Sequence, residues 1–170
     1  MGYVNDTHMS QFLAPSDITK TSGTWTAALA SSVVSESRSA AASSFMLLIP
    51  IKLPGNGAPL KGASLKSIEV YYSVVTADAA DFGTVALNKT TLPESSSSAP
   101  SGSACTVNID ANHDTAAKRK AVGDHHMTVT LDSPAWIDED EAYVLSCTID
   151  GAAATVFKLY GARANYTLRV

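Results

Sequence analysis

The histidines are the first residues of this sequence that could carry chemistry. Besides His8, they are His113, which stands between Asn and Asp, and the adjacent pair His125 and His126, which follows Asp124. Imidazole and carboxylate groups are the ligand types of a mixed metal site. Because neighbouring strand residues point to opposite faces, only one histidine of the pair could join such a site. The candidate ligands are His113, Asp124 and His126, although a polar strand entrance facing a polar loop explains the pattern better, so we expect no metal.

Nucleophilic and acid–base catalysis lack a recognisable motif. Serine is abundant, yet no Gly-x-Ser-x-Gly elbow and no glycine-rich phosphate loop occurs. The acidic residues cluster in turn-like text, at Asp78 and Asp81 and in the run Asp-Glu-Asp-Glu at 138–141. That run lacks the spacing of a calcium loop and is typical of a solvated turn before a strand. We therefore expect no catalytic residue and no cofactor, and a protein that is not an enzyme.

The two cysteines and one basic triplet have ordinary structural explanations beside functional ones. Cys105 and Cys147 lack CxxC spacing and lie in strand-like text, which favours two small buried residues over zinc ligands and leaves a disulfide open. Lys118, Arg119 and Lys120 follow one another and indicate a solvated loop face. The functional alternative is contact with an acidic patch on a neighbouring subunit.

The aromatic residues offer a third kind of site. Tyrosine and tryptophan rings supply flat apolar area on which a sugar can stack, but in a sandwich they more often anchor the core or an interface. The candidates for a stacking platform are Trp25, Tyr71, Tyr72, Trp136, Tyr160 and Tyr166.

Composition limits the partners. The 170 residues are 45% hydrophobic but only 16% charged, and the net charge is −4, which argues against nucleic acid as a partner. No apolar run approaches the roughly 20 residues that span a bilayer. The start of the chain lacks an apolar signal core. We expect one globular domain without a membrane, made in a cytoplasm.

The elements that must position these residues are strands. Residues 65–76 alternate apolar and polar side chains, and residues 44–53 form a continuous apolar run in which Pro50 indicates an edge or a bulge. About eight or nine strands follow one another between turns, without helices of crossover length. This pattern predicts an all-β fold, an antiparallel β-sandwich, with a jelly roll favoured and a seven-stranded immunoglobulin-like sandwich as the alternative.

The mixed text of residues 1–22 predicts an extended N-terminal arm, and residues 23–170 a single sandwich domain. If the arm binds a neighbouring subunit, we expect the apolar residues of the arm to form the interface. Trp25 and the basic triplet at residues 118–120 are further candidates for this interface. The interface candidates are Tyr3, Phe12, Leu13, Trp25, Lys118, Arg119 and Lys120.

Three segments, residues 65–78, 134–145 and 159–167, resemble small β-sandwich proteins of tailed bacteriophages. The resemblance rests on strand texture over about half the chain. It implies a virion protein assembled in the host cytoplasm, of the capsid decoration, cement or minor capsid type. Such a protein would bind itself as a homo-oligomer, with a trimer as one candidate, and would bind a major capsid or other virion protein. The alternative is a glycan- or receptor-binding module of a tail or fibre; the third hypothesis, an enzyme, needs His113, His126 and a carboxylate to converge.

Overall fold

Buried and less buried side chains alternate along the strands, even where the sequence is apolar throughout. Along Ser44–Ile51, for example, every second side chain is buried. The computed structural model describes residues 6–54, 62–94 and 98–169. The strands of these ranges are β1 (Asp6–Leu13), β2 (Thr19–Lys20), β3 (Trp25–Ala30), β4 (Val33–Arg38), β5 (Ser44–Ile51), β6 (Ala63–Val75), β7 (Asp81–Thr91), β8 (Ser101–Cys105), β9 (Val107–Ile109), β10 (Gly123–Trp136), β11 (Glu141–Asp150) and β12 (Val156–Arg169). One 3-10 turn (Pro15–Asp17) and one helix, α1 (Ala116–Lys120), complete them.

The strands form two antiparallel sheets. The five-stranded sheet has the order β2-β5-β11-β7-β8, and the larger sheet runs β3-β4-β12-β6-β10-β9. β12 pairs with β6 along nearly its whole length. Its other edge is shared, because β4 pairs with its first residues and β1 with residues 162–169. β4 and β1 therefore lie one after the other along the same edge of β12. The two packed antiparallel sheets confirm the all-β sandwich predicted from the sequence.

The core lies between the two sheets. β6 contributes Ile68, Val70 and Tyr72, each 0% exposed, and β11 contributes Leu145 and Cys147 from the opposite sheet. Since strand side chains alternate, the intervening residues of β6 must lie on the outer face of the larger sheet. The core therefore determines which polar residues are displayed there.

Residues 6–22, the described part of the predicted N-terminal arm, belong to the sandwich. The domain boundary predicted at residue 22 is therefore wrong for these residues. β1 pairs with β12 over all eight of its residues, and β2 pairs with β5. Leu13 and Ile18 are each 2% exposed and belong to the core cluster. Residues 6–22 were misread because β1 is an edge strand whose first residues are exposed on both faces, which removes the alternation.

Two further expectations need correction or refinement. The strand number is twelve in the described residues rather than eight or nine. One reason is that residues 35–44, whose serine and alanine text is compatible with a loop or a weak helical turn, contribute residues 35–38 to β4. Pro50 lies inside β5 opposite Val144, at a position where the two-residue β2 no longer pairs, so β5 is an edge there as predicted. The jelly-roll connectivity stays a prediction.

Candidate functional site

A polar cluster occupies the outer face of the larger sheet. Glu69 lies on β6, directly between Arg163 of β12 and Thr128 of β10. Tyr71 is two residues further along β6, opposite His126. The alternation that buries the apolar residues of β6 therefore brings a carboxylate, a guanidinium, a phenol and an imidazole together.

Glu69 is the centre of this cluster, with 9% of its surface exposed. Its Oε2 accepts hydrogen bonds from Tyr71 Oη at 2.5 Å, His126 Nε2 at 2.6 Å and Arg163 Nη2 at 2.6 Å. Its Oε1 accepts one from Asn165 Nδ2 at 2.7 Å. We call these five residues the Glu69 cluster. Its members come from three strands, so the cluster also ties β6, β10 and β12 together.

The hydrogen bonds keep Glu69 ionised. Burial alone would raise its pKa, but the bonds from Tyr71, Arg163, Asn165 and His126 outweigh burial and lower the pKa to about 2. The same carboxylate, together with burial, raises the pKa of Tyr71. A carboxylate with four donors and so low a pKa is a poor general base, because it accepts a proton only in strong acid.

We expect the Glu69 cluster to make stability depend on pH in the acid range. The pKa of Glu69 is about 2 in the folded chain, against an ordinary value of 4.5, so the unfolded chain takes up the proton first as pH falls. The stabilisation is present above about pH 4.5 and is lost progressively towards pH 2. Urea unfolding measured from pH 6 to pH 2 should show this loss in the wild type and a shallower one in Glu69→Gln; parallel curves would contradict it.

The ring of Tyr71 already has two close neighbours, His126 and Arg163. His126 stacks on it with ring centroids 4.4 Å apart and planes 17° apart. The guanidinium of Arg163 lies 6.0 Å from its centroid. A sugar therefore has little access to this ring. Of the six aromatic residues considered for a platform, Tyr72 and Tyr166 are also buried, at 0% and 8% exposure.

A groove of about 720 Å³ runs beside the Glu69 cluster. Tyr71, His126, Tyr160 and Arg163 line it, together with Asp124. Its apolar wall comes from the turn of the β3–β4 hairpin and from the end of β1, where three side chains are more than half exposed: Phe12 at 63%, Val33 at 51% and Val34 at 54%. Apolar walls with a few polar groups are typical of recognition sites.

His113 does not join His126. Its Nδ1 lies 2.9 Å from Asp110 Oδ1, and its Nε2 lies 3.2 Å from His125 Nδ1. His125 Nε2 lies 2.9 Å from the carbonyl oxygen of Ala121. His125 and His126 are adjacent strand residues and stack on different tyrosines, Tyr72 and Tyr71 respectively. The structure therefore does not bring the three candidate ligands together: His113 contacts Asp110 and His125, whereas His126 contacts Glu69 and Asp124 lines the groove.

All four ring nitrogens of His113 and His125 have hydrogen-bonding partners. The chain of contacts ends on two groups that only accept hydrogen bonds, the Asp110 carboxylate and the Ala121 carbonyl. Although burial alone would raise the pKa of Asp110, hydrogen bonds from the Thr128 N–H and from His113 lower it.

Metal ligation requires a free imidazole lone pair, which this arrangement does not leave on His113 or His125. Over residues 6–54, 62–94 and 98–169, no three side chains of His, Cys, Asp or Glu converge as metal ligands would. Asp124 and His126 instead border the groove.

The two cysteines are free thiols, Cys147 in the core and Cys105 half-buried, so the disulfide left open by the sequence is not formed.

The basic triplet is not a uniform solvated face. Arg119 is 6% exposed and donates to the carbonyl oxygens of Phe82, Gly83 and His113. It therefore anchors α1 to β7 and is unsuited to an interface. Lys118 pairs with Asp114 at 2.8 Å and is about half exposed.

The other interface candidates have different positions. Leu13 lies in the core and is excluded as a contact residue. Trp25 packs edge-on against Phe45 at 5.5 Å, on the side of the core. Phe12 remains an interface candidate because of its exposure, and Tyr3 lies outside the described residues.

Sequence reasoning missed Glu69 and Asp110, although both organise the polar chemistry of the protein. For Glu69 a signal was present: it is the one acidic residue within 65–76, on the polar side of the clearest strand. Its partners Arg163 and Asn165 lie almost a hundred residues away in sequence, so nothing local identified them.

The comparisons with known proteins add no family to these observations. No protein-family model matches the chain, and a search of curated proteins found no match. None of the helices in the described residues is long and apolar enough to cross a membrane. The site therefore has to be interpreted from its own geometry, which is a polar cluster beside a groove with an apolar wall.

Proposed function

We propose that this protein is a non-enzymatic structural protein of a virion, which associates with itself and with a capsid or other virion protein. The observation that carries the proposal is the apolar wall formed by Phe12, Val33 and Val34, each more than half exposed. Exposed apolar groups gathered along one groove are typical of a surface that another protein covers. The virion assignment itself rests on the sequence resemblance to small phage β-sandwich proteins.

The polar chemistry of the site supports binding rather than catalysis. Glu69 is saturated with donors and ionised, and every ring nitrogen of His113 and His125 has a partner. Groups fixed in this way hold a surface in one shape. A rigid surface loses little conformational entropy on binding, which favours affinity.

The test is co-purification with particles. Particles isolated on a density gradient from the cells that make this protein should contain it at a constant ratio to the coat protein, as measured by quantitative mass spectrometry. Purified protein added to particles lacking it should co-sediment with them. Recovery of the chain in the soluble fraction alone would contradict the proposal.

A double variant, Phe12→Glu with Val33→Glu, tests the apolar wall directly. Both side chains are exposed, so the fold should tolerate the change, and the far-ultraviolet circular dichroism spectrum should be unchanged. We expect co-sedimentation to fall at least tenfold. The matched control, Leu92→Glu, alters an apolar side chain that is 52% exposed outside the groove and should leave binding intact.

The second candidate, a glycan- or receptor-binding module, is favoured by one observation. The groove lies beside Tyr160 and Phe12, two aromatic side chains that could hold a sugar ring, with Asp124 and Arg163 available for hydroxyl groups. Binding on a glycan array that is lost in Tyr160→Ala would support it. The close neighbours of Tyr71 make this the weaker candidate.

A further inference from the structure

The geometry of β3 points to a specific interface: we infer that two copies of this chain pair through their β3 strands, antiparallel across a two-fold axis at Ala27, and so join their larger sheets into one. The inference deepens the proposed self-association and rests on it. Its starting point is that β4 pairs with one edge of β3, whereas no residue of the described ranges pairs with the other.

The turn of the hairpin determines which groups face this open edge. Ser31 and Ser32 both have positive φ, 49° and 65°, and Ala30 faces Val33, so the hairpin has a two-residue type I′ turn. The residues flanking such a turn form a hydrogen-bonded pair, and hydrogen-bonded pairs then alternate along the ladder. Thr24 O accepts from Ser39 N at 3.0 Å, which confirms that the even-numbered residues face β4.

The odd-numbered residues, Trp25, Ala27 and Leu29, therefore direct their N–H and C=O groups away from β4. When Ala27 of one copy lies opposite Ala27 of the other, the backbone groups of all three residues can form hydrogen bonds with the partner strand. In this register Trp25 lies opposite Leu29 on both sides of the two-fold axis. About six backbone hydrogen bonds result. If the register is shifted by two residues, one of these three residues in each copy loses its backbone hydrogen bonds to the partner strand.

The side chains on this edge fit the same register. Leu29 is 72% exposed and lies on the same face as Trp25, whose ring packs against Phe45 and Phe157 at the margin of the core. In the paired strands each Leu29 lies opposite a Trp25, at a spacing of about 5 Å between Cβ atoms. The dimer thus covers the most exposed large apolar side chain of β3 with a ring already anchored in the core.

A second copy is the occupant because the edge is self-complementary and unprotected. Edge strands in soluble proteins are usually short or charged. Three of the other edges follow this rule, since β2 has two residues, β9 has three, and β1 carries Asp6 and His8. The edge strand β8 is also uncharged, but its five residues, Ser-Gly-Ser-Ala-Cys, include no large apolar side chain for a second copy to cover. β3 has six residues with no charge, so two copies can approach without repulsion between side chains of the strand.

The test uses charges placed on the symmetry axis. Ala27→Lys opposes two ammonium groups and Ala27→Glu two carboxylates, so each variant alone should be monomeric by light scattering, with the dissociation constant raised at least tenfold over the dimeric wild type. Mixing the two variants should restore association, seen by native mass spectrometry as a dimer containing one of each. Rescue by mixing also shows that both variants are folded.

The matched control is Thr26→Lys. Thr26 is exposed like Ala27 but opposes Ala28 of the second copy in this register, so no like charges meet and the dimer should persist. An Ala27→Lys variant as dimeric as the wild type, or no rescue on mixing, overturns the inference. A wild type that is monomeric at all concentrations also overturns it, together with the proposed self-association, whereas the proposed binding to a virion protein is contradicted only if the chain does not co-purify with particles.

Discussion

Replacing Phe157 with alanine is expected to lower the free energy of unfolding by about 4 kcal/mol. Phe157 is 0% exposed and stands at the centre of an aromatic cluster. Its ring stacks on Tyr72 at 5.2 Å and meets Phe45 edge-on at 5.4 Å, with Trp25 at 6.4 Å. Removing the ring leaves a cavity that these rigid neighbours fill poorly.

Urea unfolding followed by tryptophan fluorescence measures this effect, since Trp25 reports on the cluster directly. Phe12→Ala is the matched control, because it removes the same side chain from a position that is 63% exposed. Its free energy of unfolding should change by less than about 0.5 kcal/mol. Equal losses in the two variants would show that Phe157 does not have the central role assigned to it.

The second large effect is expected at Glu69. Glu69→Ala removes the shared acceptor of Tyr71, His126, Arg163 and Asn165, and should lower the free energy of unfolding by about 3 kcal/mol. The reason is that several donors on a crowded sheet face lose their partner at once. Glu139→Ala, which removes an exposed acid from a turn, should cost less than about 0.5 kcal/mol.

A double-mutant cycle with Arg163→Met separates the ion pair from the rest of the cluster. If Glu69 and Arg163 act together, the double variant should lose less free energy of unfolding than the two single variants added together, by at least about 1 kcal/mol. Additive losses would mean that the carboxylate stabilises the sheet mainly through its other three partners.

The fold class was predictable because strand alternation is a local property. The clearest strand, residues 65–76, corresponds to most of β6, and its inward residues Ile68, Val70 and Tyr72 are those that the alternation predicts. Short strands were harder. β4 reads Val-Val-Ser-Glu-Ser-Arg, which shows little apolar alternation, and it is a strand because it pairs with β3 and β12. Its last residue, Arg38, is buried, donates to Ser43 and lies over Phe45.

The site was less predictable than the fold because its members meet only through pairing. Which histidine joins His113 depends on the face to which each side chain of β10 points, and the alternation rule alone leaves both choices open. The Glu69 cluster depends on the register between β6 and β12, which places Arg163 opposite Glu69. Register is set by the whole sheet rather than by any single segment.

The double pairing of β12 has a consequence for how the chain reaches this structure. Among the described strands, β1 pairs only with β12, with Asp6 opposite Arg169, so the first described strand cannot pair until the last one has been made. On the ribosome, β1 must stay unpaired while all the intervening strands emerge. Folding should therefore be slow for a chain of this size, because closing so long a loop costs entropy before any contact repays it. A chaperone that shields β1 during synthesis would accelerate the appearance of the native sheet.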